Sequence, residues 1–92
     1  MIRTFKHRGL KRLFERGDRG KVRANQLEVI EDILGFLDIA VRSQDLNMPG
    51  YNLHPLKGNL KGFWSVKVSR NWRIIFRFKD GDALDVDLID YH

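Results

Sequence analysis

The chain contains no cysteine, which excludes disulfide frameworks and thiolate zinc sites and fits a reducing compartment. It has no run of about 18 apolar residues that could cross a membrane as a helix. Residues 1–14 also lack the apolar core of a secretory signal. We therefore expect a cytoplasmic protein with no membrane segment. A length of 92 residues predicts a single domain that spans residues 1–92.

Acidic residues are absent from residues 51–79, which hold seven basic residues. Residues 1–23 hold nine basic residues against two acids, whereas residues 24–50 and 80–92 carry net negative charge. Neutralising phosphates with lysine and arginine releases counterions, so two basic blocks suggest a polyanion such as nucleic acid as partner. Charge alone leaves an ordinary solvated surface as an equal alternative.

The first half of the chain predicts two helices. Ile2 and Phe5 indicate a short first strand, and a basic helix follows from about His7 to Arg16, with Gly17 as its left-handed stop. Three apolar residues give this helix too narrow a stripe for a membrane surface, so it is expected to pack on a sheet. They are Leu10, Leu13 and Phe14.

The second predicted helix has a well-defined apolar face, and a loop at residues 18–21 precedes it. Asn25 and Glu28 resemble a capping box at its start. Residues 47–50, which contain Pro49, end the helical region. The residues of the apolar face are Leu27, Ile30, Leu34, Leu37 and Val41.

From Tyr51 onward the apolar residues recur with a period of two, which predicts three antiparallel strands. The apolar residues share one face only if Val68 lies opposite Trp72 and Phe78 lies opposite Leu84. Both hairpins would then have three-residue loops, centred on Arg70 and Gly81. The strands begin near Trp64, Trp72 and Leu84.

This register predicts a basic, open sheet face on the side away from the helices. It places Lys67 opposite Arg73, and Arg73 beside Ile89 with Tyr91 one step further along. Arg73 has no acidic partner in this register, so we expect it to be free for a ligand. Cross-strand ion pairs are expected for the remaining cations, Arg77 with Asp85 and Lys79 with Asp87.

Two further segments carry residues suited to proton transfer or phosphate contact. His54 precedes Pro55, which favours an extended conformation, and Lys57 follows before Gly58. The chain ends with Asp90, Tyr91 and His92. Imidazoles move protons near neutral pH, and cations stabilise charge that builds on a phosphate, so this set could cleave RNA without a metal or another cofactor.

Each of these residues could also lack a catalytic role, since a lone histidine is more often packed or solvated than catalytic. A metal site is not expected, because His7, His54 and His92 lie far apart and no carboxylate spacing accompanies them. No phosphate-binding glycine loop or nucleophile elbow is present.

Five segments together resemble the HigB toxins of the RelE/ParE superfamily, and the similarity covers essentially the whole chain. The order of the segments and the closing Asp-Tyr-His make the resemblance specific, although any one of them alone would be weak. The segments are residues 2–14, 53–58 (Leu-His-Pro-Leu-Lys-Gly), 64–68 (Trp-Ser-Val-Lys-Val), 71–74 (Asn-Trp-Arg-Ile) and 90–92.

The resemblance implies an α+β, RelE-like fold, in which two N-terminal helices pack on one face of a small antiparallel sheet. It also implies a ribosome-dependent endoribonuclease that contacts 16S rRNA and cuts mRNA in the decoding (A) site. The partner would be a helix-turn-helix antitoxin, HigA, and DNA would be contacted only through the antitoxin complex. ParE-type relatives instead poison DNA gyrase by binding it, so a non-enzymatic inhibitor of a protein is the alternative.

Site residues follow from the resemblance position by position. Catalytic roles would belong to His54, Asp90, Tyr91 and His92, with the two histidines as acid and base in an order that the sequence leaves open. In a regular strand Asp90 and His92 point away from Tyr91, so we expect the last residues to leave strand geometry. The resemblance implies phosphate or RNA contacts for Lys57, Asn71 and Arg73, and the predicted strand register adds Lys67 to this set.

Overall fold

The structure is a computed structural model that describes residues 1–91, so His92 lies outside the description. Both helices pack on one face of a four-stranded antiparallel sheet with the strand order β1-β2-β3-β4, which confirms the predicted fold class. Within residues 1–91 no helix has the length and apolar content needed to cross a membrane. The elements are α1 (Arg8–Arg16), α2 (Leu27–Ile39), β1 (His54–Pro55), β2 (Trp64–Lys67), β3 (Trp72–Lys79) and β4 (Asp82–Asp90).

Helix α1 begins and ends where the sequence predicts. The His7 side chain caps its start by accepting a hydrogen bond from the Leu10 N–H at 3.1 Å. Gly17 adopts the left-handed conformation with φ of 67°, and its N–H binds the Leu13 carbonyl at 3.0 Å. Leu10 and Leu13 are buried, so these two residues of the predicted stripe pack inward, whereas Phe14, the third, is 38% exposed.

The predicted capping box at the start of α2 is wrong. A 3₁₀ turn, Ala24–Gln26, leads directly into the helix, and the N-cap residue Gln26 makes no side-chain cap. The Gln26 amide instead donates to the Ser69 hydroxyl at 3.1 Å. Because the preceding turn already bonds the first N–H groups locally, the helix has less need of a capping side chain.

Val41 was expected on the core face of α2, but it lies outside the helix and is 67% exposed. The helix ends at Ile39, and Ala40 is extended. Asp45 then accepts hydrogen bonds from the backbone N–H groups of Val41 and Arg42, which lower the pKa of its carboxyl group, and the chain turns into the 3₁₀ helix Ser43–Leu46. Fully buried Leu46 joins the core beyond the helix end.

The N-terminal residues pair with β4 along its outer edge. Ile2 and Phe5 form isolated parallel bridges to Ala83 and Val86, so the predicted first strand is reduced to two contacts. The side chain of Arg3 adds an ion pair with Asp82 at 3.0 Å, and this contact is the main reason that the pKa of Asp82 lies below its usual value. The outer edge of β4 is therefore covered by residues from the other end of the sequence.

The hairpin of β2 and β3 has the predicted register. Lys67 lies opposite Arg73, and the Val68 N–H donates to the Trp72 carbonyl at 2.9 Å, which leaves residues 69–71 as the loop. The Arg23 guanidinium stacks over the Trp72 ring at 5.1 Å and adds a contact from the helix layer. The loop is therefore tied to the helices on one side of the sheet.

A bulge divides the β3–β4 pairing into two parts. The predicted register is correct in the part far from the turn and wrong in the part next to the turn. Arg73 lies opposite Ile89 as expected, but near the turn Phe78 lies opposite Ala83 and not Leu84. Asp80 and Gly81 have φ values of 53° and 82° and form a two-residue turn, which shifts the register by one residue. Asp85, at φ of 55°, takes up the extra residue as a bulge.

The bulge decides which of the expected ion pairs form. Arg77 still reaches Asp85 at 3.1 Å, as predicted. The pairing of Lys79 with Asp87 is wrong, because Lys79 lies opposite Asp82 in the shifted register and Asp87 lies opposite Ile75.

Phe76 is the largest fully buried side chain, and it lies at the centre of the sheet against the helices. We expect Phe76→Ala to reduce the free energy of unfolding by about 3–5 kcal/mol through lost burial and a cavity. Phe36→Ala is the matched control, because Phe36 is 41% exposed and should cost much less. Urea denaturation measures both, and equal losses would show that the core is not centred on Phe76.

Candidate functional site

The face of the sheet away from the helices is only partly open. Residues 56–63 fold back across it, and Leu56, Phe63 and Ile75 form a second small cluster with Leu60 and Ile89 packed at its border. The expectation of a fully open basic face is therefore wrong. Alternation along the strands could not reveal this cover, because it comes from the segment before β2 and includes a 3₁₀ helix, Gly58–Leu60.

Cations gather around this small cluster. Lys6 and Arg77 both lie over the Phe63 ring, at 5.4 and 5.7 Å from its centroid. Beyond the cluster, Lys67 and Arg73 face each other across β2 and β3. The open part of the face therefore carries positive charge from the N-terminal segment and from two strands.

His54 lies in the short edge strand β1, directly opposite Ser65, on the same face as Lys67 and Arg73. Its Nδ1 lies 2.9 Å from the Asn52 carbonyl oxygen. A carbonyl oxygen only accepts hydrogen bonds, so Nδ1 carries the proton in this contact. The Nε2 atom of the neutral ring then holds a lone pair that is available to a substrate.

Asn52 was not among the predicted site residues, yet it orients His54. Its φ of 50° lies in the left-handed region, which asparagine tolerates better than most residues. This conformation directs the Asn52 carbonyl towards the imidazole of His54 two residues later. The asparagine in Asn-Leu-His-Pro is the only sequence signal of this contact. Ser65, across the strand, is fully buried and its hydroxyl has no hydrogen-bond partner among residues 1–91.

The sequence predicted that Arg73 would be free for a ligand, but the structure shows its guanidinium bound to the backbone. Its Nη1 donates to the carbonyl oxygens of Ser69 at 2.9 Å, Trp72 at 3.2 Å and Arg70 at 3.4 Å. The guanidinium therefore closes the β2–β3 loop. No carboxylate of residues 1–91 pairs with it, and its buried Nε has no partner there. The charge is held in place by backbone carbonyls.

Lys57 and Asn71 are exposed on two different connections. Lys57 precedes the 3₁₀ helix Gly58–Leu60 in the segment that crosses the sheet face. Asn71 lies in the loop between β2 and β3, and its carbonyl accepts a hydrogen bond from the Tyr91 N–H. The structure therefore brings Asn71 next to the C-terminal segment, whereas Lys57 lies beside His54 in sequence.

The C-terminal residues keep strand geometry further than expected. β4 extends through Asp90, which lies opposite Trp72, and Tyr91 continues along Asn71. Alternation therefore places Asp90 on the face opposite to Arg73 and Tyr91. The Tyr91 ring centroid is 6.0 Å from the Arg73 guanidinium. The expected departure from strand geometry does not occur up to Asp90, and His92 lies outside the described residues.

The candidate residues therefore span the sheet instead of surrounding one pocket. Three strand spacings of about 4.8 Å separate β1 from β4, and the strand pairing puts His54 level with Asp87, four residues before Tyr91, so His54 and Tyr91 are roughly 20 Å apart. Lys67 and Arg73 lie between them on the same face. Such a row of groups suits an extended polyanionic strand better than a small compact ligand. Within residues 1–91 no three His, Asp or Glu side chains are grouped to hold a metal ion.

Comparisons with known proteins show the family of this chain. The model of a family described as the RelE-like toxin of the type II toxin–antitoxin system HigB matches residues 3–92. The chain is 48% identical over 92 residues to "Endoribonuclease HigB" of Proteus vulgaris, with complete coverage of both chains. It is 34% identical over 90 residues to "Toxin HigB-1" of Vibrio cholerae serotype O1, covering 96% of this chain and 95% of the relative.

Solved structures with low sequence identity share the fold. A chain of a YoeB–YefM complex from Staphylococcus aureus aligns with a TM-score of 0.58 at 15% identity, covering 100% of this chain and 98% of the other. The predicted RelE-like fold and the predicted family are therefore both confirmed. A toxin of a type II system is by definition paired with a protein antitoxin. The chain belongs to the HigB-like family of RelE-like toxins from type II toxin–antitoxin systems.

Proposed function

We propose that this chain is an endoribonuclease toxin that cuts mRNA in the decoding site of the ribosome and so inhibits translation. The observation that carries the proposal is the orientation of His54, whose Nδ1 is held by the Asn52 carbonyl on the face that also presents Lys67 and Arg73. The full-length relative from Proteus vulgaris, which bears the name endoribonuclease, supports the same reaction class.

In the proposed reaction, Nε2 of His54 accepts the proton of a ribose 2′-hydroxyl as general base. The 2′-oxygen forms a bond to the adjacent phosphorus, and the bond from phosphorus to the 5′-oxygen breaks. The departing 5′-oxygen takes a proton from a general acid. The products are a 2′,3′-cyclic phosphate and a 5′-hydroxyl end, and no electron acceptor or other co-reactant is required.

His92 is the proposed general acid. This assignment follows from that of His54, whose Nδ1 donates to the Asn52 carbonyl and whose Nε2 is left to act as the base. Asp90 would orient an imidazole, although alternation places it on the face opposite to Tyr91. Tyr91, 44% exposed beside Arg73, would stack on a nucleobase or position the phosphate. That the reaction uses no metal stays a prediction.

Cations would stabilise the pentacoordinate phosphate. Arg73 would supply its positive charge to the anionic oxygens from a guanidinium that loop carbonyls hold in place. Lys57 and Lys67 are exposed and add charge on either side of His54. Asn71, at the hairpin tip, would contact RNA next to Tyr91. A ParE-like inhibitor of a protein target would need none of these groups, and the match to the HigB model favours the nuclease.

The proposed partners are the ribosome and a HigA-like helix-turn-helix antitoxin, through which alone the toxin would contact DNA. The exposed side of α1 would dock on 16S rRNA, because its cations lie on the surface of the helix layer, away from the candidate site. A ribosomal substrate also places the protein in the cytoplasm. The residues that line this basic surface are Arg8, Lys11, Arg12, Glu15 and Arg16.

The nucleophile is tested with a message that carries deoxyribose at the scissile position only. Cleavage should stop, whereas binding should stay nearly unchanged because the backbone charge is the same. Primer extension with and without ribosomes gives the measurement, and the all-ribose message is the control. Cleavage of the deoxyribose message would exclude attack by the 2′-hydroxyl, and cleavage of no message at all would overturn the nuclease proposal.

The base assignment is tested with His54→Gln, which keeps a polar side chain but removes the imidazole. The single-turnover cleavage rate should fall by about 10²- to 10⁴-fold, as expected for loss of a general base. The loss of rate towards acidic pH should also disappear in this variant. His7→Gln is the control, because His7 caps the start of α1 and is not among the candidate site residues. A variant with the wild-type pH profile would remove His54 from proton transfer.

Arg73→Lys and Lys11→Ala separate chemistry from docking. A lysine in place of Arg73 loses the planar fork, so we expect single-turnover cleavage at saturating ribosome to fall by about 10²-fold. Lys11→Ala should weaken ribosome binding and reduce its salt dependence without changing that rate. Because Arg73 also holds the loop carbonyls, thermal unfolding of each variant is measured alongside. Equal losses of rate would contradict the division into a docking surface and a catalytic face.

A further inference from the structure

A hollow of about 570 Å³ lies next to the candidate site, at the end of the sheet edge. Ligand sites in proteins commonly enclose roughly 300–1,000 Å³, so the hollow has room for one nucleotide. It is formed by the loop between the 3₁₀ helix Ser43–Leu46 and β1, closed on the sheet side by β2. Its lining residues are Asn47, Met48, Pro49, Gly50, Asn52 and Lys67.

The loop around the hollow is fixed to the rest of the fold. Its start is anchored by fully buried Leu46, and the Tyr51 N–H donates to the Met48 carbonyl at 3.1 Å. The Tyr51 carbonyl in turn accepts from the Lys67 N–H at 2.7 Å. On the helix side the Tyr51 ring packs edge-on against Phe36 at 6.3 Å. A loop held from both sides offers a preformed site, which lowers the entropy cost of binding.

The lining has the chemistry of a nucleotide site. Asparagine side chains pair with the polar edges of bases, while methionine and proline provide apolar surface for a base plane. Neither Asn47 nor Asn52 uses its side-chain amide in a hydrogen bond within residues 1–91, so both remain available. Lys67 supplies a positive charge for a phosphate, and no acidic residue lines the hollow.

The hollow is connected to the candidate site at two points. Asn52 lines it and also holds Nδ1 of His54, at 2.9 Å. Lys67 lines it and lies directly opposite Arg73. A strand of RNA that crosses the sheet face past Arg73 and His54 would therefore place a neighbouring nucleotide in the hollow.

We propose that this hollow binds the base of one nucleotide flanking the scissile phosphate and determines the base preference at that position of the message. The inference rests on the proposed function and extends it to substrate specificity. Asn47 reads the base edge, Met48 and Pro49 support the base plane, and Lys67 contacts the backbone regardless of sequence. The ligand class is a nucleotide of single-stranded RNA.

The test measures single-turnover cleavage at saturating ribosome on messages with every base at each position around the cut. Asn47→Ala should reduce the preference at one position by roughly 5-fold or more, the value of one bidentate contact to a base edge. Preferences at other positions should stay as in the wild type. Lys67→Ala should slow the cleavage of all messages alike. Asn25→Ala, an exposed asparagine at the start of the helix layer, is the matched control.

If Asn47→Ala cleaved at the wild-type rate and kept the wild-type base preference at every position, the inference would be overturned and the proposed function would stand. If the wild type cleaved no message, the proposed function would fail by itself. NMR then tests the hollow separately: the side-chain amide signals of Asn47 and Asn52 should shift on addition of an RNA trinucleotide, and the Asn25 signal should not. The same titration decides the matter if Asn47→Ala does not fold, and unshifted amide signals would overturn the inference.

Discussion

Antiparallel pairing of β2 with β3 is the constraint on which the candidate site depends. It sets Lys67 against Arg73 on one face and packs Val66 with Ile74 into the core on the other. A slip by one residue would exchange the two faces, burying cations and exposing apolar side chains. Because burial of the apolar set stabilises only one register, the core that holds the fold together also decides which charges face a substrate.

Strand alternation predicted this part of the fold because the core face of β2 and β3 obeys it, with Val66, Ile74 and Phe76 buried there. The same reasoning gave the wrong register at the β3–β4 turn, where Asp80 and Gly81 form a tighter loop than expected and Asp85 absorbs the difference. Asp-Gly is a strong signal for a two-residue turn. The apolar pattern favoured a three-residue loop, because it does not anticipate the bulge at Asp85 that brings Val86 back to the core face after a two-residue turn.

The candidate site was predictable in its residue types but not in its contacts. The five segments that resemble the HigB toxins predicted the family, yet nothing in them shows that Arg73 binds three loop carbonyls or that Asn52 fixes the tautomer of His54. These contacts depend on the φ angle of one asparagine and on how a loop closes. Both are properties of the folded backbone, and the periodicity of apolar residues in the sequence does not predict them.

The pairing of residues 1–6 with β4 has a consequence for synthesis of the chain. Backbone hydrogen bonds join Arg3 to Ala83 and Thr4 to Val86, across about 80 residues of sequence. Contacts between such distant segments form late, because a long loop must close first. A nascent chain that lacks β4 has neither this pairing nor Tyr91 beside Arg73. The ribosome that makes the protein therefore carries a chain without a completed sheet until the last strand has been translated.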